Sequence, residues 1–178
     1  MAAEPFSGPT EHTPVTDHVL SVLVENKAGV LSRIAGLFSR RGFNINSLAV
    51  APAGDDERFS RLTIVVDAES APIEQVVGQL NKLINVVEIR HLHHDVSVER
   101  EMLLATLTVD ESERGELLRH LAHAGASIID FSNTHVTVTL SGAPSAIDAF
   151  EESLEAHYGQ IEVQRTGRVA LPRLSTSG

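Results

Sequence analysis

The chain has 178 residues, 42% hydrophobic and 21% charged, with a formal net charge of −10; this is the composition of a globular protein of one large domain or two small ones. The absence of Cys excludes disulfides and thiolate metal sites and makes a cytoplasmic protein the expectation. The acidic balance argues against nucleic acid, whose phosphates need a basic footprint, and the lack of a long apolar run argues against a membrane span.

Residues 1–17, "MAAEPFSGPTEHTPVTD", carry Pro5, Pro9 and Pro14 among polar residues, lack the character of a signal peptide and are expected to be a disordered leader. "HVLSVLVE", from His18, is largely apolar on both parities, which predicts a central strand. Val30, Leu31, Ile34, Leu37 and Phe38 then fall at helical spacing, and Arg40, Arg41 and Gly42 mark the helix end. "FNINSLAVAP" is strand-like, with a change of parity that predicts a bulge near Asn46 and Ser47. "FSRLTIVVD" alternates through Leu62, Ile64 and Val66. Pro72 opens a second helix whose predicted inward stripe is Ile73, Val76, Val77, Leu80, Leu83 and Ile84, and "NVVEIRHL" closes a βαββαβ unit.

The second half repeats this order. "EMLLATLTV" is a strand, "ESERGELLRHLAHAG" a helix with Leu117, Leu118 and Leu121 inward, and "ASIIDF" and "THVTVTL" two strands. A helix with Ile147, Phe150 and Leu154 inward and a strand in "QIEVQRTG" complete it. The predicted fold class is α+β: two ferredoxin-like βαββαβ units, at 18–92 and 101–171, each an antiparallel sheet with two helices on one face. A linker at 93–100 joins them and a flexible tail at 172–178 follows. Units of this size bury little surface and leave one sheet face open, so dimerisation through sheet faces or edges is expected.

The junction "LVENKAGVLSRIAGLF" is not a P-loop, because Lys27 precedes its glycine. The first amides of a helix are free donors at the positive end of its dipole, which suits a carboxylate. Gly29 removes the side chain that would keep a ligand from that backbone, and Asn26 offers a donor and an acceptor. "NKAG", including Ala28, can therefore meet both the carboxylate and the ammonium of an amino acid. Asn44 offers the same pair of functions, and Val30, Leu31 and Ile45 offer aliphatic walls. The same residues also have a purely structural reading: Asn26 as a helix N-cap worth about 1 kcal/mol and Gly29 as a first-turn residue. Spacing alone leaves both open.

His91, His93 and His94, beside Asp95, lack a defined further ligand and read as a polar strand end, with no metal site assigned. His120 and His123 read as a solvated helix face. An RNA-recognition module needs aromatics on its central strands, and aromatics here total 4%. No nucleophile, base and oxyanion clamp stand together, so no catalytic residue is assigned.

"SVLVENKAGVLSRIAGLFSRRGFNINSLAVAP", followed by "SRLTIVV" and "QLNKLINVVEI", resembles the ACT domain of the small regulatory subunits of acetolactate synthase (acetohydroxyacid synthase). "VERE" at 98–101 and "IIDF" at 128–131 resemble the second domain of that family. The resemblance implies a non-catalytic subunit with no cofactor of its own. It would bind and activate a large catalytic subunit, on which thiamine diphosphate, Mg and FAD are expected, and confer feedback inhibition by branched-chain amino acids, chiefly valine. It also implies a homodimer through the ACT domains, with the effector between two chains: Asn26, Ala28, Gly29, Val30 and Leu31 from one, Asn44 and Ile45 from the other. Val30 stands where many relatives have Ala, which implies a tighter pocket and leaves the choice among valine, leucine and isoleucine open. The alternative is a free-standing tandem ACT sensor governing another enzyme or transcription. "VDESERGEL" has no Asn before Gly115, which favours the subunit reading.

Overall fold

The structure, a computed structural model, describes residues 17–54, 56–69 and 72–174. All of the expected leader but Asp17, and the tail beyond Leu174, lie outside the described residues. The first unit comprises β1 (His18–Glu25), α1 (Val30–Arg41), β2 (Ile45–Ala53), β3 (Asp56–Val66), α2 (Ile73–Leu80) and β4 (Val86–Leu92). Its sheet runs β2-β3-β1-β4, antiparallel throughout. Helix α1 stops where its spacing predicts: Gly42 takes φ 70°, and the Phe43 amide donates to the Phe38 carbonyl at 3.0 Å. The parity change in β2 is a register shift between Ile45 and Ser47. Leu20, Val22 and Val24 of β1 and Leu62, Ile64 and Val66 of β3 form the core with Ile34, Leu37 and Phe38 of α1 and Val76 and Leu80 of α2.

The second unit comprises β5 (Ser97–Thr108), α3 (Arg114–Ala124), β6 (Ser127–Phe131), β7 (His135–Gly142), α4 (Pro144–Tyr158) and β8 (Glu162–Arg165), with strand order β6-β7-β5-β8. Leu103, Ala105 and Leu107 of β5 pack on Leu117 and Leu121 of α3 and on Ile147, Phe150 and Leu154 of α4.

Three predicted orientations differ. Helix α2 ends at Leu80, so the chain has left helical geometry before Ile84, which is 89% exposed. Leu118 is also exposed, because α3 turns only Leu117 and Leu121 inward. His120 is not on a solvated face: it packs against the Phe150 ring, and its Nε2 lies 2.9 Å from Ser153 Oγ.

An additional strand, β9 (Val169–Pro172), pairs with residues 97–100 of β5. The stretch 93–100, expected as a linker, is therefore a short turn followed by paired strand, and Pro172, expected in the tail, belongs to β9. Ala170 packs with Val19, Val65 and Leu92 on the face of the first sheet opposite its helices. Beside it, the Arg168 amide donates to Ser47 Oγ at 2.8 Å and its guanidinium pairs with Asp17 at 3.0 Å.

Glu101 is buried in the second unit and accepts two hydrogen bonds from Arg165, at 3.0 and 2.7 Å; Arg165 also reaches Asp148 and Glu151 of α4. Deleting one partner of such a pair strands the other charge without water. Arg165→Ala is expected to lower unfolding free energy by about 2–4 kcal/mol in urea titrations, and Glu101→Gln by less. Equal, small losses would show that the pair does not brace α4 against β5.

Candidate functional site

The loop after β1 is anchored to the strand beside it. The Asn26 amide donates to the Arg58 carbonyl at 2.7 Å, and its side-chain Nδ2 donates to the Glu57 carbonyl at 2.9 Å. Asn26 is therefore not the N-cap of α1. That position belongs to Gly29, at φ 84° and ψ −7°, with no side-chain cap. A Cβ on Gly29 would meet no atom within 4 Å, so its left-handed conformation, not crowding, is what requires glycine. Asn26, Lys27, Ala28 and Gly29 are all exposed, and the first turn of α1 holds no acidic residue. The positive end of the helix thus faces solvent without a counter-charge of its own, beside an Asn whose Oδ1 has no partner among the described residues.

Leu31 is 44% exposed and can form an apolar wall. Val30 is 5% exposed and packs in the core, and its amide donates to the Lys27 carbonyl at 3.2 Å, so its side chain is no pocket wall. The loop is flanked by a polar chain. Lys27 Nζ lies 3.1 Å from Glu25 Oε1, Asn85 Nδ2 donates to Glu25 Oε2 at 2.5 Å, and Arg33 donates to Asn85 Oδ1 at 2.9 Å. The Asn85 hydrogen bond, helped by Lys27, holds the Glu25 carboxyl below its ordinary pKa. On the neighbouring turn, hydrogen bonds from Arg58 bring the Asp56 carboxyl down to about 2. Glu25, Arg33 and Asn85 escaped the reading of the sequence; Asn85 is 60 residues from Glu25, and no local spacing marks their contact.

Asn44 and Ile45 stand elsewhere. Ile45 is half-buried and pairs with Val66, which pairs with His18 at the start of β1; Glu25 pairs with Phe59 at the other end. The two rungs are seven residue steps apart along β1, about 24 Å. Within one chain, Asn26, Ala28, Gly29, Val30 and Leu31 come together, while Asn44 and Ile45 lie at the opposite end of the sheet. There Asn44 Nδ2 donates to Asn46 Oδ1 at 2.7 Å, and Asn46 Nδ2 donates to Asp17 Oδ1 at 2.9 Å.

The His91 and His93 rings lie 4.2 Å apart, with His18 packed edge-on against His91. Burial, then the charges of His93 and His18, push His91 below its ordinary pKa. His94 turns away to Glu99. Among the described residues no three His, Cys, Asp or Glu side chains are placed to hold a metal, and no helix is long and apolar enough to cross a membrane.

Residues 20–88 match the family model described as the AHAS small subunit-like ACT domain, which defines the class of the first unit. Residues 100–174 match the model described as the small subunit of acetolactate synthase. The chain is 44% identical over 156 residues to the acetolactate synthase small subunit of Mycolicibacterium smegmatis, a span of 88% of this chain and 91% of that protein. To a probable acetolactate synthase small subunit of Archaeoglobus fulgidus it is 42% identical, over 88% of this chain and 96% of that protein. The crystal structure of the small subunit from Thermotoga maritima superposes with a TM-score of 0.81 at 36% identity, covering 90% of this chain and 99% of that one. The chain belongs to the acetolactate synthase small-subunit family.

Gly29→Ala is expected to destabilise the first unit by about 1–2 kcal/mol through backbone strain alone. Asn26→Ala is expected to lose about 1 kcal/mol with its bond to Glu57. Chemical denaturation of both variants checks the anchoring; a neutral Gly29→Ala would contradict the left-handed N-cap.

Proposed function

We propose that this chain is the regulatory, non-catalytic subunit of an acetolactate synthase. It binds and activates a thiamine-diphosphate-dependent catalytic subunit in the cytoplasm and confers feedback inhibition by valine on branched-chain amino acid biosynthesis. It has no cofactor of its own; thiamine diphosphate, Mg and FAD belong to the catalytic subunit. The observation that carries the reading is the open, uncompensated start of α1 beside the anchored Asn26. Amides at the helix end receive the effector's carboxylate, Asn26 Oδ1 accepts from its ammonium, and Leu31 meets its aliphatic chain. Asn44 and Ile45 stand too far away in the same chain, so they complete the pocket from the second chain of an ACT-domain homodimer. The effector then favours one arrangement of that dimer, and attached catalytic subunits respond to the arrangement without any residue here touching substrate.

The second unit supports a subunit over a tandem sensor. Where α1 starts from an exposed glycine with no acidic residue in its first turn, the residues before α3 carry their own carboxylate: Glu113 Oε2 accepts from the Asp110 amide at 3.0 Å. We therefore assign effector binding and dimerisation to residues 18–92 and assembly to residues 101–171.

Reconstitution with the same organism's large subunit tests this. Acetolactate formation should rise on adding the chain and fall with valine. Asn26→Ala and Gly29→Asp should weaken valine inhibition about tenfold or more while preserving activation. No complex and no activation would overturn the subunit reading, whereas unchanged inhibition would overturn the site alone. Titration with leucine and isoleucine then ranks the effectors.

The two-chain pocket has its own test. Neither Asn26→Ala nor Asn44→Ala homodimers should bind valine well. Mixed dimers of the two contain one intact pocket and one doubly altered, so co-refolding them should restore saturable valine binding at near wild-type affinity. No recovery in isolated mixed dimers would exclude a pocket shared in this way.

A further inference from the structure

Apart from the proposed effector loop, a cleft of about 420 Å³ lies in the second half of the chain, between the first residues of β5, the start of α4 and the flanks of β9. Its wall includes Arg168 before β9, Arg173 after it, Arg100 and Ser97 of β5, His94 from the preceding turn, and Ser145 at the start of α4. Helix α4 begins there with Pro144, which has no amide hydrogen, and the Ala143 carbonyl takes the amides of Ala146 and Ile147. The Ser145 amide is left at the positive end of a fifteen-residue helix with no acidic residue in its first turn.

Ser97 is an independent sign that something is to be bound. It is 2% exposed, and its hydroxyl has no hydrogen-bond partner. Alternation along β5 puts Ser97 on the same face as Glu99 and Glu101, and Glu101 meets Arg165 and, through it, α4, so the hydroxyl lies on the α4 side of the strand, that of the cleft. An unpaired buried hydroxyl is unfavourable, and a ligand oxygen in the cleft would satisfy it.

The charges of the wall are unequally matched. Asp148 is engaged by Arg165, and Glu99 by His94 and more distantly by Arg168; Arg168 itself pairs with Asp17. Arg100 and Arg173 have no acidic partner among the described residues; Arg100 donates only to the Glu99 carbonyl. Two uncommitted guanidinium groups, a helix start and an unpaired hydroxyl suit a doubly charged oxyanion better than a single carboxylate. We propose that this cleft is a binding site for a phosphate group, separate from the amino-acid site.

The test uses the full chain, titrated calorimetrically with inorganic phosphate and with glycerol phosphate at ionic strength held constant by chloride, with acetate as the carboxylate control. One saturable phosphate site per chain is expected, with a rise in melting temperature that acetate does not reproduce. Arg100→Ala combined with Arg173→Ala, both at exposed positions, should weaken binding about tenfold or more. Ser97→Ala should weaken it about tenfold without lowering the phosphate-free melting temperature, since no bond is lost and an unpaired buried hydroxyl is removed. Tighter binding of glycerol phosphate assigns the cleft to a phosphorylated metabolite and tighter binding of inorganic phosphate to the free ion; either supports the site. Absence of saturable binding, equal response to acetate, or full affinity in the arginine double variant would overturn it.

Discussion

Burial of the sheet face opposite α1 and α2 is the constraint on which the rest of this structure depends. Strand β1 is apolar on both faces, and Val19 and Val65, on the face away from the helices, have no exposed surface. Two helices can cover only the other side, so a second layer is needed. It comes from the same chain: β9 lays Ala170 over Val19, Val65 and Leu92. Because β9 is too short to stand alone, β5 extends back to Ser97 to pair with it. The approach is close enough that a Cβ on Gly167, at φ 78°, would lie 2.7 Å from Ser47 Oγ. The seam that results draws Arg168 onto Asp17 and Ser47 and creates the basic cleft beside α4.

Features carried by local periodicity were legible before any coordinates. The double parity of β1, the spacing and glycine stop of α1 and the bulge after Ile45 each follow from a few consecutive residues. Strand β9 was not legible, because "VALP" is too short to display alternation and its partner lies some seventy residues away. Ile84 and Leu118 show the converse problem: apolar residues at helical spacing persist where the backbone has left the helix, or at the margin of its buried stripe. At the candidate site the residue types were readable but their roles needed the fold. Asn26 looked like a cap and is instead tied to β3, while Val30 looked like a pocket wall and is a core residue.

The separation of Asn26 from Asn44 bears on how a signal could leave the proposed effector site. Among the described residues, the hydrogen bonds of the Asn26 end stay in its own unit, through Glu57, Arg58 and the Glu25–Asn85–Arg33 chain. The Asn44 end is continuous with the seam: Asn44 donates to Asn46, Asn46 to Asp17, and Asp17 pairs with Arg168, whose amide is held by Ser47. An effector that takes the Asn44 amide from a partner chain competes with the bond to Asn46. Releasing Asn46 removes one of the contacts that orient Asp17, and with it part of what seats Arg168 and β9 on the first sheet. In the proposed dimer, one chain would therefore supply most of the recognition and the other would register it, at the end of the sheet where its two units are joined. The coupling this permits is limited by the difference in effector affinity between the seated and released states of that seam.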